Sequence, residues 1–273
     1  ASQILKKHQI HSYELDAQII LADIMRVKRE YLIINNEENV SKKIMKKYDD
    51  AIERRIRREP IAYITGKKEF WSNDFMVNKS TLIPRPETEL LIYKIIDFFK
   101  NKRINILDVG TGSGCILLSI LKEIKFSRGI GIDISAKAIQ VAQTNSRNLN
   151  LIYRSKFKVF EISKFNLGKY DLIVSNPPYI RSKDIKKLSE DIINYEPKSA
   201  LDGGPDGLDL VKKVIYKSKY LLKRKGLLAL EVGFGQYQKV SRILKSSGFR
   251  EIGKVMDYNQ NVRCIISTKE DFF

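Results

Sequence analysis

From Leu90 onward, short apolar runs alternate with segments in which apolar residues recur at helical spacing. This alternation constrains the fold most, because strands that alternate with helices are typical of a parallel sheet covered by helices on both faces. We therefore predict a doubly wound α/β sheet that binds ligands at the carboxyl ends of its strands. The predicted helices are residues 90–99, 114–124, 136–145, 208–222 and 236–246; the predicted strands are residues 104–109, 129–134, 156–160, 170–175, 227–232, 251–256 and 263–267; residues 176–207 are predicted to be irregular.

The first 89 residues lack this alternation. Apolar residues recur at helical spacing after Ser12 and again after Ser41, so both serines are candidate N-caps. Beyond Pro60 the pattern changes, and Ile61–Ile64 is predicted to be a strand of a β-hairpin. Pro-Arg-Pro at residues 84–86 predicts a stiff connector. The predicted domains are a helical domain at residues 1–60, a β-hairpin with a proline-rich connector at residues 61–89, and the α/β domain at residues 90–273.

Lys and Arg residues number 50 against 32 Asp and Glu residues, which gives a formal net charge of +18. A surface of this sign attracts nucleic acid, ribosomes or acidic proteins, but the lysines are scattered, so the charge alone identifies no partner. The two cysteines exclude a disulfide framework and favour a reducing, cytoplasmic location. No apolar run is long enough to cross a bilayer, and no signal peptide is predicted. The sequence begins at Ala1 without Met, as expected of a fragment of a longer protein.

The predicted strand 104–109 runs into a glycine-rich segment, Asp108-Val-Gly-Thr-Gly-Ser-Gly114, which opens a helix. Glycines let backbone N–H groups approach a ligand, and the helix N-terminus adds a positive dipole end. The spacing differs from the G-x-G-x-x-G of dinucleotide sites, and no P-loop lysine follows. Asp108 suits a cationic amino group, and Asp133, at the end of the next strand, suits ribose hydroxyls. These features predict an S-adenosylmethionine site at Asp108, Gly110, Thr111, Gly112, Ser113, Gly114 and Asp133.

A second motif, Asn176-Pro177-Pro178-Tyr179, follows the buried strand 170–175. Its prolines fix φ and remove two N–H donors, so the turn presents carbonyl oxygens rigidly. The side-chain oxygen of Asn176 and the carbonyl oxygen of Pro177 suit both hydrogens of one planar NH2 group, and Tyr179 offers that group a flat face. Two such acceptors stabilise positive charge that develops on the nitrogen during methyl transfer. We predict that Asn176 and Pro177 are catalytic and that Tyr179 contacts the planar group of the substrate.

Other chemistries find no support in the sequence. The two histidines, His8 and His11, lie near the N-terminus, so neither a Ser/His nor a Cys/His relay is predicted. Two cysteines and two histidines do not make a zinc site, and no metal is expected.

The two motifs together resemble those of the PrmC/HemK family, class I methyltransferases that modify a glutamine of peptide-chain release factors. The resemblance extends over residues 12–268. Further similar blocks, in the family's order, are Arg58–Gly66, Leu82–Glu89, Tyr195–Pro197, Leu201–Gly207 and Glu231–Gly233, followed by Asp257 and Arg263. Enzymes that methylate amino groups of DNA and RNA share Asn-Pro-Pro-Tyr, so this motif alone does not identify the family. The Leu82–Glu89 block and the helical N-terminal domain resemble the release factor methyltransferases specifically.

The resemblance implies a class I S-adenosylmethionine-dependent methyltransferase, which is a Rossmann-like doubly wound sheet with a small helical N-terminal domain. It implies methylation of the side-chain amide nitrogen of the Gln in the Gly-Gly-Gln motif of a release factor, which the N-terminal domain would hold. Neither a membrane nor nucleic acid is required. Where the family has an Asp followed by a large residue near adenine, this chain has Glu161 and Ile162. The implied site adds Glu161, Ile162 and Asn176 to the cofactor residues, and places Arg85, Glu87, Asn176, Pro177, Pro178 and Tyr179 at the substrate.

Two other functions stay open from the sequence. One is a nucleic-acid amino-methyltransferase acting on adenine, cytosine or guanine, which the charge of +18 favours, although the first 78 residues contain no recognisable RNA-binding module. The other is a non-catalytic binding protein with the same fold, which would need neither an intact Asn176 nor the glycine segment.

Overall fold

The computed structural model describes residues 1–35, 37 and 39–269. They form two compact units, the first made of residues 1–67 and 188–195, the second of residues 68–187 and 196 onward. The division falls before the proline-rich connector at which the sequence predicts a boundary. Residues 188–195 belong to the first unit because Tyr195 Oη donates a hydrogen bond to Arg57 O at 2.7 Å and Arg58 lies 3.7 Å from Glu190. The limits of the three domains stay a prediction.

Helices and strands alternate from residue 87 onward, as predicted, with shifted ends. The helices are α1 (Ser2–Lys7), α2 (Tyr13–Met25), α3 (Arg29–Ile34), α4 (Lys42–Ile56), α5 (Ile61–Thr65), α6 (Glu87–Phe99), α7 (Cys115–Glu123), α8 (Ala136–Asn148), α9 (Glu190–Tyr195), α10 (Asp209–Leu221) and α11 (Tyr237–Ser246). The strands are β1 (Lys67–Phe70), β2 (Asn73–Met76), β3 (Asn105–Val109), β4 (Arg128–Asp133), β5 (Ser155–Val159), β6 (Tyr170–Ser175), β7 (Leu222–Glu231), β8 (Phe249–Met256) and β9 (Val262–Lys269). The short α9 lies in the stretch predicted to be irregular. No helix among the described residues has the length and apolar character needed to span a membrane.

The core of the first unit consists of apolar side chains of α1, α2 and α4, among them Leu5, Ile20 and Ile52. Ser41 caps α4 as predicted, because its Oγ accepts a hydrogen bond from Ile44 N at 3.4 Å. Ser12 occupies the N-cap position of α2 as predicted, but its side chain makes no capping hydrogen bond there.

Residues Ile61–Thr65 form a helix, α5, and not the predicted strand. Pro60 is the N-cap residue, and its carbonyl oxygen accepts hydrogen bonds from Tyr63 N and Ile64 N at 2.9 and 3.1 Å. Gly66 ends the helix with a φ of +74°, in the left-handed region that glycine adopts without strain. The hairpin therefore consists of β1 and β2. Local capping at Pro60 and Gly66 outweighs the β-branched composition that suggested a strand.

The main sheet of the described chain has seven strands in the order β5-β4-β3-β6-β7-β9-β8. Neighbours from β5 to β7 pair in parallel, whereas β9 runs antiparallel to both β7 and β8. The sheet is therefore mixed, and it departs from the predicted parallel pairing at this edge, because the short turn between β8 and β9 permits only an antiparallel pair. Helices α6, α7 and α8 pack on one face and α10 and α11 on the other, which confirms the doubly wound arrangement.

Candidate active site

A cavity of about 440 Å³ lies at the carboxyl ends of β3, β4 and β6 in the second unit. Most of the predicted site residues line it. They are Arg85, Gly110, Thr111, Gly112, Ser113, Asp133, Glu161, Ile162, Asn176 and Pro178. Five predicted residues do not line it, namely Glu87, Asp108, Gly114, Pro177 and Tyr179.

The glycine loop between β3 and α7 forms one side of the cavity. Gly110 N and Thr111 N both donate to Ile132 O of β4, at 2.9 and 3.0 Å, which holds the loop against the neighbouring strand. A Cβ atom added at Gly110 or Gly112 would meet no other atom within 4 Å. The main chain of the loop is therefore bare where it lines the cavity, and a ligand can approach it closely.

Asp133 ends β4 and presents a carboxylate to the same cavity. Its Oδ2 accepts a hydrogen bond from Gly112 N at 3.0 Å, and its Oδ1 accepts one from Ser135 N at 2.9 Å. Burial raises the pKa of this carboxyl, and the hydrogen bonds from Ser135 and Gly112 oppose that rise. These two bonds fix the carboxylate in one orientation at the cavity wall.

Asp108 lies beneath the glycine loop and is fully buried. Thr111 Oγ1 donates to its Oδ2 at 2.6 Å. Burial raises the pKa of Asp108 to about 7, although the hydrogen bond from Thr111 opposes the rise. The structure thus places this acid behind the wall of the cavity, where it holds Thr111.

The Asn176-Pro-Pro-Tyr179 corner follows β6 on the other side of the cavity, and a distant loop braces it. Gln236 Nε2 donates to Tyr179 O at 2.8 Å and to Gly207 O at 3.3 Å, which ties the corner to residues 203–207. A Cβ atom added at Gly203 would lie 2.5 Å from Pro178 O, so only a glycine permits this approach. The corner is therefore held rigidly by residues far along the chain.

A buried hydrogen-bond chain runs behind the corner. Asn176 Nδ2 donates to Thr88 Oγ1 at 3.2 Å, and Thr88 Oγ1 donates to Glu231 Oε2 at 2.6 Å. Burial raises the pKa of Glu231 to about 7, while the Thr88 hydrogen bond and the charge of Arg263 oppose the rise. Arg263 also lies 5.9 Å from the centre of the Tyr179 ring. Sequence reasoning missed Thr88 and the role of Glu231, although both lie in family-like blocks.

Arg85 and Glu87, both assigned to the substrate, have different settings. Arg85 Nη2 lies 2.5 Å from Glu196 Oε1, and Glu196 also accepts a hydrogen bond from Ile83 N at 3.2 Å. This pairing holds the Arg85 guanidinium at the cavity wall. Glu87 is exposed at the start of α6.

Sequence reasoning also missed Phe160 and Lys213, which line the cavity beside Glu161. Lys213 Nζ lies 3.2 Å from Glu161 Oε1, and hydrogen bonds from Ser163 and Lys213 lower the pKa of Glu161. Phe160 supplies an aromatic ring just before Glu161, whereas Ile162 follows it. The signal that could have identified Phe160 is its place at the end of a predicted strand, next to the strand that ends at Asp133.

Comparisons with known proteins cover nearly the whole chain. The PrmC N-terminal domain matches residues 1–66, and a methyltransferase domain matches residues 100–248. The chain is 39% identical over 273 residues to the release factor glutamine methyltransferase of Clostridium acetobutylicum, which covers 98% of this chain and 96% of that protein. It is 35% identical over 271 residues to the protein of the same name from Caulobacter vibrioides, with coverage of 98% and 94%. A solved ribosomal protein L11 methylase from Lactobacillus delbrueckii subsp. bulgaricus is similar in fold, with a TM-score of 0.51 at 20% identity over 68% of this chain and 80% of that one.

Proposed function

This chain belongs to the family of release factor glutamine methyltransferases, and from that premise we propose that it methylates the side-chain amide nitrogen of a glutamine in a peptide-chain release factor. The target is the Gln of the Gly-Gly-Gln motif. The observation that carries the proposal is that Asn176 and the bare main chain at Gly110 and Gly112 line one cavity. A donor bound at the glycines and an amide held at Asn176 would thus meet in the same space.

The residues of the glycine side suit S-adenosylmethionine. The open space at Gly110 and Gly112 admits a ligand against the main chain, and the fixed carboxylate of Asp133 suits a pair of ribose hydroxyls. Phe160, Glu161 and Ile162 form the part of the wall that we assign to the adenine. When bound, the cofactor supplies a methyl group on a positively charged sulfur, which is the electrophile of the reaction.

The residues of the corner suit a carboxamide. We assign Asn176 Oδ1, at the cavity wall, to one hydrogen of the glutamine NH2 group. The carbonyl oxygen of Pro177, which does not line the cavity, stays the predicted acceptor for the second hydrogen. An amide nitrogen is a poor nucleophile, and two fixed acceptors stabilise the positive charge that grows on it as it attacks. They also orient the nitrogen, which lowers the entropic part of the barrier. The nitrogen loses one proton to water after the transfer, and this restores the planar, neutral amide.

The N-terminal domain and the surroundings of the reaction complete the proposal. We assign binding of the release factor to residues 1–66, which match the PrmC N-terminal domain. Release factors act in translation, so the cytoplasm is the proposed location. Nucleic acid is not needed as substrate.

A methyl-transfer assay tests this function. The purified chain is incubated with labelled S-adenosylmethionine and a release factor, and the Gly-Gly-Gln peptide is examined by mass spectrometry. We expect one added methyl group on the Gln, and none on a control release factor in which that Gln is replaced by Ala. Label found only in RNA added to the same mixture would overturn the proposal in favour of a nucleic-acid amino-methyltransferase. Absence of cofactor binding by calorimetry would favour a non-catalytic protein.

A further inference from the structure

We propose that Thr88 and Glu231 are positioning residues that set which end of the Asn176 carboxamide is offered to the substrate. This inference rests on the proposed function, in which the oxygen of Asn176 accepts a hydrogen bond from the glutamine amide. Both residues act through Asn176, and together they keep its oxygen free by occupying its nitrogen.

A carboxamide can be turned by 180° with almost no change in shape, so packing alone does not distinguish its oxygen from its nitrogen. Hydrogen-bond direction does. An ionised carboxylate only accepts, so the single hydrogen of the Thr88 hydroxyl is donated to Glu231 Oε2, 2.6 Å away. Thr88 Oγ1 can then only accept from Asn176, and the atom at 3.2 Å is Nδ2.

If the Asn176 carboxamide were turned by 180°, an acceptor would face an acceptor at one end and a donor would face a donor at the other. Behind Asn176, Oδ1 would face a lone pair of Thr88 Oγ1. In front, the Asn176 NH2 group would face the NH2 group of the substrate glutamine, and neither can accept. The chain from Glu231 through Thr88 therefore selects an acceptor at the position where the substrate needs one.

Because Thr88 and Glu231 are buried, protein groups and not water set the orientation of the Asn176 carboxamide. Thr88 is 2% exposed and Glu231 is fully buried, so water cannot readily replace either partner. The two residues come from α6 and from the end of β7. Their meeting behind the corner is thus a product of the tertiary fold.

Protonation of Glu231 removes the direction of the chain, because a neutral carboxyl can donate as well as accept. The charged and titratable groups that face Glu231 are Arg263 and Cys264 of β9, Glu87 of α6, Tyr179 of the corner and Cys115 of α7. Burial raises the pKa of Cys115, Cys264 and Tyr179, which keeps these three neutral near pH 7. Glu231, with a pKa of about 7, changes charge between pH 6 and pH 8.

The test compares Thr88→Val with the wild type at several pH values. Val keeps the shape of Thr and removes the hydroxyl. We expect kcat at pH 8 to fall about 10- to 100-fold, up to the loss typical of one preorganised polar contact, with the affinity for S-adenosylmethionine measured by calorimetry unchanged. The ratio of wild-type to variant kcat should shrink towards pH 6, because the wild type loses its directed chain there. Asp108 also has a pKa of about 7, but Thr88 does not contact it. Any effect of Asp108 titration on kcat is therefore the same in wild type and variant and cancels in their ratio.

Three further variants separate orientation from folding. Thr88→Ser keeps the hydroxyl, so it should restore most of the turnover lost in Thr88→Val. The double variant Thr88→Val/Asn176→Ala should be no slower than Asn176→Ala alone, because Thr88 acts through Asn176. Thr268→Val removes a hydroxyl that donates to Gly226 O at 3.1 Å, away from the cavity, and should leave kcat unchanged.

Several outcomes would overturn the inference. These are a Thr88→Val enzyme as fast as the wild type at pH 8, a Thr88→Ser enzyme as slow as Thr88→Val, a ratio that does not change with pH, or losses that multiply in the double variant. In each case the wild type methylates its glutamine, and the proposed function stands. A wild type that leaves the glutamine unmodified would instead overturn the proposed function itself.

Discussion

The two sides of the cavity are built from contacts of different range. On the glycine side, Thr111 bonds to Asp108 three positions earlier, and Gly112 bonds to Asp133 at the end of the adjacent strand. At the corner, Asn176 bonds to Thr88, 88 positions away in the sequence. The first side shapes a length of main chain, whereas the second orients one side chain. We therefore expect substitutions on the glycine side to alter binding and stability, and substitutions at the corner to alter turnover.

The largest expected effect is on stability and comes from Asp108, beneath the glycine loop. Its pKa of about 7 in the folded protein, against about 3.9 in an unfolded chain, corresponds to about 4 kcal/mol. The folded state binds the proton more tightly, so Asp108 destabilises the protein progressively as the pH rises from about 4 to 7. We expect the free energy of unfolding of Asp108→Asn, relative to the wild type, to increase by up to that amount between pH 4 and pH 8.

Urea unfolding at both pH values measures this difference. Asp74→Asn, at an exposed carboxylate, is the matched control and should change the free energy of unfolding equally at both pH values. An advantage of Asp108→Asn that stays constant with pH would mean that Asp108 is not the buried ionisable group that the structure indicates.

The next largest effect is on catalysis at the corner. Asn176→Ala removes the proposed acceptor for the glutamine amide, so kcat should fall at least about 100-fold, while the dissociation constant for S-adenosylmethionine stays nearly the same. Steady-state kinetics and calorimetry measure the two quantities. Asn148→Ala, on the exposed end of α8, should change neither. Near-normal turnover of Asn176→Ala would contradict the expectation that substitutions at the corner mainly alter turnover.

The smallest effect concerns cofactor binding at Asp133. Asp133→Ala removes the carboxylate assigned to the ribose, and the loss of charged hydrogen bonds of about 1.5–3 kcal/mol predicts a dissociation constant raised roughly 10- to 150-fold. Turnover at saturating S-adenosylmethionine should change much less. Calorimetric titration checks the affinity, and kcat measured at high cofactor concentration checks the separation. An affinity equal to that of the wild type would contradict the ribose assignment.

Elements that depend on local sequence were predicted well. The alternation after Leu90 predicted the doubly wound sheet, because each strand and helix carries its own periodicity. The glycine motif and Asp133 were placed at one site because parallel strands end at the same edge of the sheet. The wrong predictions concern segments whose structure depends on the residues or elements next to them. Ile61–Thr65 is a helix because of Pro60 and Gly66, and β9 is antiparallel because a short turn joins it to β8.

The amino-acid sequence by itself determined the fold class, the glycine loop, the strand-terminal acid and the Asn-Pro-Pro-Tyr corner, since each is written in a few consecutive residues. The tertiary structure decided which residues support them. It brought Thr88 and Glu231 behind Asn176, placed Phe160 and Lys213 beside Glu161, and moved Asp108 from the wall of the cavity to beneath it. The physical reason is that a hydrogen bond needs its partners within about 3 Å in a defined direction. Sequence spacing cannot specify that condition for residues that are a hundred positions apart.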